Sequence, residues 1–286
     1  MSQEILSMVM IEPIIRQALQ EDLGDAGDIT TNALVSESQT WTGSFVARQH
    51  GVIAGLDLAR AAFHLMDPKI QFVVKREDGT RIAPQEVIAT VKGSARHILM
   101  AERVALNFLC HMSGIATATH SLVEAVKPHQ TRICCTRKTT PGLRQIEKYA
   151  VRMGGGFNHR FGLYDAVLIK DNHLAVVGNV RDAVMRAREA VGHLVKIELE
   201  VDTLDQLREV LDLNLDAVLL DNMDTTTLAK AVAMVGGRFR TEASGGVTVK
   251  TVAALAATGV DVISVGWVTH SAPILDIGLD QIALNP

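Results

Sequence analysis

Aromatic side chains are scarce: Phe, Trp and Tyr make up 4% of the residues, with two tryptophans and two tyrosines. That argues against a nucleic-acid module built on base stacking. Cysteine is nearly absent as well. Cys110, Cys134 and Cys135 form no CxxC and no Cys/His ligand spacing, so neither a disulfide framework nor a zinc site is expected. They read as reduced, small apolar fillers in a cytoplasmic protein. The net charge of −4 gives no general attraction to nucleic acid or to an anionic membrane. Any anionic ligand must therefore be held by local groups of cations. No segment approaches the ~20 apolar residues that span a bilayer. Glu4 stands where a signal peptide would be basic, and no apolar run with a cleavage site follows it.

What is present is a globular composition, 48% hydrophobic and 21% charged over 286 residues, enough for one large core or two domains. Up to about residue 112 short strands mix with a few helices. The spacing predicts a helix over Pro13 to Leu23, strands over Trp41 to Arg48, Ile70 to Val74 and Val87 to Val91, and a mostly apolar helix over Ala95 to Met112. This is an α+β pattern. From about 113 the rhythm becomes regular. Strands are expected at Ile133–Cys135, Ala166–Ile169, Val195–Leu199, Ala217–Leu220, Arg240–Ala243 and Val262–Val265. Helical patterns lie between them, including Asn179–Ala190, Leu204–Leu211, Thr225–Met234 and Val247–Ala257. Alternation of this kind builds parallel βαβ units in an open sheet or a barrel. No GxGxxG follows the first of these strands, which disfavours a dinucleotide-binding sheet.

Each apolar strand runs into polar groups. They are Arg137-Lys138, then Lys170-Asp171-Asn172-His173, then Glu198 and Glu200, then Asp221-Asn222, then Glu242 with Ser244-Gly245-Gly246, then Gly266. Polar carboxyl ends on apolar strands describe the active face of an α/β barrel, where they converge on one cavity. The cations are Arg137, Lys138, Arg160 and Lys170, with His159 beside them and Arg103 joining from the first domain. Arg103 lies in an otherwise apolar helix and reads equally as a structural or exposed charge. If buried alone, it would cost roughly several kcal/mol until a carboxylate met it with bidentate geometry. The stretch RMGGGFNHR, Arg152 to Arg160, suggests a loop closing over an anion. Ser244-Gly245-Gly246, ahead of a helix expected near Val247, could cradle a phosphate, and Val265, Gly266 and Trp267 end the next strand as barrel phosphate sites often do. Glu200 and Asp221 among these cations suit hydroxyl binding or Mg²⁺ rather than an all-protein cage. Asp171 and His173, two apart, make no zinc signature. The sum is a small, strongly anionic ligand with carboxylates, together with a phosphorylated sugar needing Mg²⁺.

At these residues the chain resembles the quinolinate phosphoribosyltransferases, the decarboxylating enzymes of NAD synthesis. The matching motifs run in order along nearly the whole chain. They are Asp28-Ile29-Thr30-Thr31, Ala101-Glu102-Arg103 with Leu106-Asn107, Ser113 to Thr117, and Thr136-Arg137-Lys138-Thr139 with Pro141 to Arg144. They continue with Gly154-Gly155 and Asn158-His159-Arg160, Lys170 to His173, Leu220-Asp221-Asn222, Glu242 to Gly246, and Thr269-His270-Ser271. The resemblance implies an N-terminal α/β sandwich domain (1–112, joined by a C-terminal tail, 270–286) and an incomplete, open α/β barrel (113–269). It implies a homodimer with sites shared between subunits. It places quinolinate on Arg103, Arg137, His159, Arg160 and Lys170, with Arg103 supplied by the partner. It places phosphoribosyl pyrophosphate on Lys138, Lys170, Glu200, Asp221, Ser244, Gly245 and Gly266. Thr136, His173, Gly246, Val265 and Trp267 complete the substrate-binding set. Lys138, Lys170, Glu200 and Asp221 are the expected catalytic residues, with Mg²⁺ near Glu200 and Asp221. Glu198 could replace Glu200 by one strand step; Glu200 is favoured as nearer the carboxyl end. The alternatives are a nicotinate phosphoribosyltransferase and a non-catalytic dicarboxylate-binding homologue.

Overall fold

The computed structural model describes residues 6–281. They form two compact units. One holds the chain up to His120, then Thr140–Gly155, then Ser271 onward; the other holds Ser121–Thr139 and Gly156–His270.

The first unit contains α1 (Met8–Leu23), α2 (Ile29–Leu34), β1 (Thr40–Ala47), β2 (Gly51–Val52), α3 (Leu56–Met66), β3 (Gln71–Val74), β4 (Arg81–Ile82), β5 (Val87–Ser94) and most of α4 (Ala95–Val126). Helix α1 starts five residues before the expected Pro13. It carries Pro13 in its second turn, where the ring forgoes the hydrogen bond to the Val9 carbonyl, and buries Ile11, Ile15 and Leu19. Strand β1 pairs antiparallel with β5 and with β12 (Ile277–Gln281), and β5 pairs with β3. The sheet order is thus β12-β1-β5-β3. Phe45, Phe63 and Phe72 meet with centroids 5.7–5.9 Å apart and concentrate much of the scarce aromatic area here. Full burial of such a side chain contributes roughly 1.5–3 kcal/mol.

The sequence boundary at 112 has no counterpart in the backbone, because α4 is continuous through Ser113-Gly114. Gly114 sits mid-helix for a packing reason. A Cβ there would lie 2.2 Å from the Pro273 carbonyl oxygen.

The first unit also takes in α5 (Arg144–Met153), a helix not anticipated from the sequence. Every residue from Ile146 to Val151 is buried, Glu147 and Lys148 among them. Glu147 meets His111 Nε2 at 3.1 Å and accepts the Thr140 N–H at 3.1 Å, while the Tyr149 hydroxyl donates to half-buried Asp78 at 2.6 Å. Buried charges survive here because they have hydrogen-bonding partners.

The second unit is a parallel sheet: β6 (Arg132–Cys134), β7 (Val167–Ile169), β8 (Ile197–Val201), β9 (Ala217–Asp221), β10 (Arg240–Ser244) and β11 (Val262–Ser264). The order β6-β11-β10-β9-β8-β7 is that of a barrel left open between β6 and β7. Phe157 stands on the free edge of β6, with its N–H on Ile133 O and its carbonyl on the Cys135 N–H. Arg132 lies over its ring at 4.6 Å. That edge is therefore covered rather than left to pair with another chain. Helices α6 (Asp171–Val177), α7 (Val180–Ala190), α8 (Leu204–Val210), α9 (Thr225–Val235) and α10 (Val252–Ala256) make the crossovers from β7 to β11, and α11 (Trp267–His270) follows β11. The strands are short buried runs, as parallel strands covered on both faces are. No helix among the described residues is long and apolar enough to cross a membrane.

Candidate active site

The carboxyl ends of the six parallel strands carry the groups that the sequence marks. Strand β6 stops at Cys134, and Arg137 lies at a bend three residues on, with Arg137 half-buried and Lys138 exposed. The loop is held from several sides. Thr136 Oγ1 accepts the Lys138 N–H at 3.0 Å, and Thr269 Oγ1 donates to the Lys138 carbonyl at 2.8 Å. Gly266 packs so close that a Cβ would stand 3.0 Å from Lys138 Cδ. The end of β11 and the loop after β6 thus form one piece.

Across the opening, Lys170 follows β7 and its Nζ meets Glu200 Oε2 at 2.5 Å. Glu198, one strand step below, belongs to a different group. Its Oε2 lies 3.1 Å from His159 Nε2, and Glu242 Oε1 lies 3.6 Å from the same nitrogen. Glu198 and Glu200 share one face of β8, Glu200 nearer the carboxyl end and Glu198 deeper along the strand. Asp221 ends β9 and receives the Asn222 amide at 2.5 Å. Asn222 has φ +53 and donates its N–H to Ser244 O at 2.9 Å. Gly245, with φ +104, must be glycine on two counts, since a Cβ would also fall 2.1 Å from Asn222 Oδ1.

Arg160 is half-buried; its Nη1 donates to the Ala166 carbonyl at 3.0 Å, and its Nε is buried with no hydrogen-bond partner. Burial, and then the charge of Arg137, lower its pKa, while Asp165 and Glu198 oppose them. A half-buried guanidinium that feels a second positive charge and has a nitrogen without an acceptor suits a site that takes an anion.

Several expectations need correction. The helix after Ser244-Gly245-Gly246 begins at Val252, not near Val247, so no helix N-terminus faces that turn. Thr248 and Thr251 hydroxyls close an intervening turn instead. His173 is exposed and its Nδ1 accepts the Lys170 N–H at 2.9 Å, which makes it a brace for Lys170. Trp267 donates its indole N–H to Val247 O, and Val265 is buried with its N–H on Cys134 O. Both help to shape the turns. Arg103 is exposed on α4 and makes no hydrogen bond among the described residues. The sequence reading placed Glu242 among the polar strand ends without giving it a role, and did not single out Asp165, which accepts the N–H groups of Phe161 and Gly162 and fixes the loop after Arg160.

Burial, and next the charge of Glu198, push the Glu242 pKa from 4.5 up to about 7. Between those values the folded chain holds a proton that the unfolded chain has released. Stability is then fullest below about pH 4.5 and falls as pH rises toward 7, by on the order of 3 kcal/mol. Glu242→Gln should remove that dependence. In urea unfolding the variant is expected to exceed the parent in stability at about pH 8 and to lose that advantage near pH 5. Equal differences at both pH values would contradict it.

Family models place these features in context. The model described as quinolinate phosphoribosyl transferase, N-terminal domain, matches residues 28–113, and its C-terminal counterpart matches residues 115–280. The chain belongs to the quinolinate phosphoribosyltransferase family. A relative from Mycobacterium leprae, named nicotinate-nucleotide pyrophosphorylase [carboxylating], is 47% identical over 93% of this chain and 95% of its own. A probable member of that name from Bacillus subtilis is 42% identical over 98% and 96%. Among solved structures, NadC from Streptococcus pyogenes superposes with a TM-score of 0.93 at 38% identity, covering 96% of this chain and 97% of its own. The open barrel and the sheet-based first unit are the fold of this family.

Proposed function

We infer that this chain joins quinolinate to phosphoribosyl pyrophosphate and releases pyrophosphate and CO₂, leaving nicotinate mononucleotide for NAD synthesis. The observation that carries the reading is the half-buried Arg160, whose buried Nε has no acceptor, in a barrel of this family. The two carboxylates of quinolinate would occupy these guanidiniums with Lys170. Lys138, Lys170, Glu200 and Asp221 would meet the phosphoribosyl group, with Thr136, Ser244, Gly245, Gly246 and Gly266 framing it.

The chemistry follows from these placements. The ring nitrogen forms a bond to the anomeric carbon as the bond to pyrophosphate breaks. The nitrogen becomes quaternary and positive. The bond from the ring to the adjacent carboxylate then breaks, CO₂ leaves, and the electron pair stays on the ring carbon, which takes up a proton. Arginines that fix both carboxylates orient the nitrogen, where ~1 Å of misplacement can cost on the order of 10²-fold. Lys138 and Lys170 stabilise the departing pyrophosphate.

Glu200 and Asp221 suit Mg²⁺: they are hard oxygen donors on paired neighbouring strands, and the fully protein-built cluster of three ligands lies elsewhere among the described residues. Glu200 and Asp221 would hold the ion together with water and substrate phosphates, and it would supply charge neutralisation for the leaving group. We further place the chain in the cytoplasm, on its three free cysteines. We read it as a homodimer in which the exposed Arg103 reaches the partner's site.

The test is purified protein with quinolinate, phosphoribosyl pyrophosphate and Mg²⁺, following nicotinate mononucleotide and CO₂. Equimolar formation of both is expected. Nicotinate turned over as fast as quinolinate, or quinolinate bound without CO₂ release, would overturn the reading.

A further inference from the structure

Asn222 is the first residue past β9, and its backbone takes a conformation that few side chains tolerate. Its φ is +53, in the left-handed region where asparagine is among the least penalised residues with a Cβ. The conformation has a use. Asp221 pairs with Ser244 in the ladder between β9 and β10, and the Asn222 N–H carries that ladder one step further, onto the Ser244 carbonyl at 2.9 Å. The two strand ends therefore stay joined for one residue beyond the sheet.

The side chain has a separate task. Asn222 Nδ2 donates to Asp221 Oδ2 at 2.5 Å. Its amide oxygen lies against Gly245, where a Cβ would stand 2.1 Å from Oδ1 and 2.7 Å from Cγ. The amide fits only one way round. An ionised carboxylate accepts and cannot donate, so the nitrogen faces Asp221 and the oxygen faces Gly245. The residue type follows from both demands. Glycine would meet the backbone demand without a donor. Aspartate tolerates the backbone but would set a second carboxylate beside the first. Asparagine meets both. Asn222 is exposed, and an exposed hydrogen bond adds little to stability, so the value of this one lies in what it does to Asp221.

We propose that Asn222 is a positioning residue for the phosphoribosyl site: its amide, seated on Gly245, holds Oδ2 of Asp221 so that the carboxylate keeps one orientation and presents Oδ1 to phosphoribosyl pyrophosphate. The proposal rests on Asp221 as a ligand of that substrate. It also gives Gly245 a part that its φ of +104 does not, since the missing Cβ is the space the amide fills. A carboxylate fixed before the substrate arrives does not have to be ordered during binding, which favours affinity and alignment.

Two variants of the full chain test this, and either serves alone if the other does not fold. Asn222→Gly keeps the backbone conformation and loses the amide. Asn222→Asp keeps the shape and turns the donor into a second carboxylate. The phosphoribosyl pyrophosphate KM should rise by about 10-fold in Asn222→Gly and by about 100-fold in Asn222→Asp, with the quinolinate KM within about 2-fold in both. Equal changes for the two substrates, as a merely structural role predicts, or an Asn222→Asp chain as good as the parent would overturn the proposal. A second arm measures phosphoribosyl pyrophosphate binding with Mg²⁺ by calorimetry, without quinolinate. Asn222→Gly should weaken it by about 10-fold in the parent and by less than about 2-fold when Asp221 is already alanine. The same factor in both backgrounds would mean that Asn222 acts without Asp221. If the parent makes no nicotinate mononucleotide, the functional reading falls, and crystal structures of the parent and Asn222→Gly still decide the positioning. One Asp221 carboxylate orientation in the parent and several in the variant are expected; a single shared orientation would refute it.

Discussion

Replacing Arg137 by alanine is expected to raise the quinolinate KM by about 100-fold or more, and the phosphoribosyl pyrophosphate KM by no more than about 3-fold. The magnitude is that of a charged, bidentate hydrogen-bonded pair, on the order of 3 kcal/mol. The asymmetry comes from position. Arg137 lies at the bend after β6 on the side of Arg160, close enough for its charge to lower the Arg160 pKa. Lys138, the next residue, is exposed, and its aliphatic chain runs against the Gly266 turn. Neighbours that leave strand geometry can serve two ligands. Arg137→Lys should recover only part of the loss, because an ammonium keeps the charge without the planar fork. Steady-state kinetics with each substrate varied in turn would check this. Equal losses for both substrates would refute the division of roles.

Lys170→Ala is expected to act on both catalysis and folding. Activity should fall by about 10³-fold or more, since the same ammonium is asked to meet both anionic substrates. Stability should fall as well, because Lys170 Nζ sits 2.5 Å from a Glu200 carboxylate whose side chain is only 11% exposed. With Lys170 43% exposed, water moderates the loss to about 1 kcal/mol. The double variant Lys170→Met with Glu200→Gln separates the two effects. It leaves no unpaired charge, so the urea midpoint should return close to that of the parent while activity stays lost. A double variant as unstable as Lys170→Ala would mean that the pair is not what holds this part of the site together.

Much of the second unit was legible because parallel strands announce themselves. Six buried runs end in polar residues, and the strand starts fall within two residues of expectation. The chain's departure from strand geometry before Arg137-Lys138 was also readable, from two adjacent cations ahead of Pro141-Gly142. Other features were hidden for physical reasons. Helix α5 was missed because Glu147 and Lys148 look like a solvated face, and only tertiary partners such as His111 let Glu147 be buried. Gly114 is no helix end: it lies inside α4 because a distant carbonyl, that of Pro273, leaves no room for a Cβ. The delayed start of α10 follows from hydroxyls of Thr248 and Thr251 that compete with helical hydrogen bonds.

Strand β12 gives the chain an unusual schedule. Gly43, near the start, pairs with Gln281, near the end of the described residues, and α5 must also arrive from mid-chain. The first unit to emerge from a ribosome would be the last to close its sheet, because it waits for segments made after the whole parallel sheet. Pairing over such separation carries a loop-closure cost before any contact rewards it, which slows folding. Until synthesis passes residue 281, β1 offers an unpaired edge of the kind that recruits other chains.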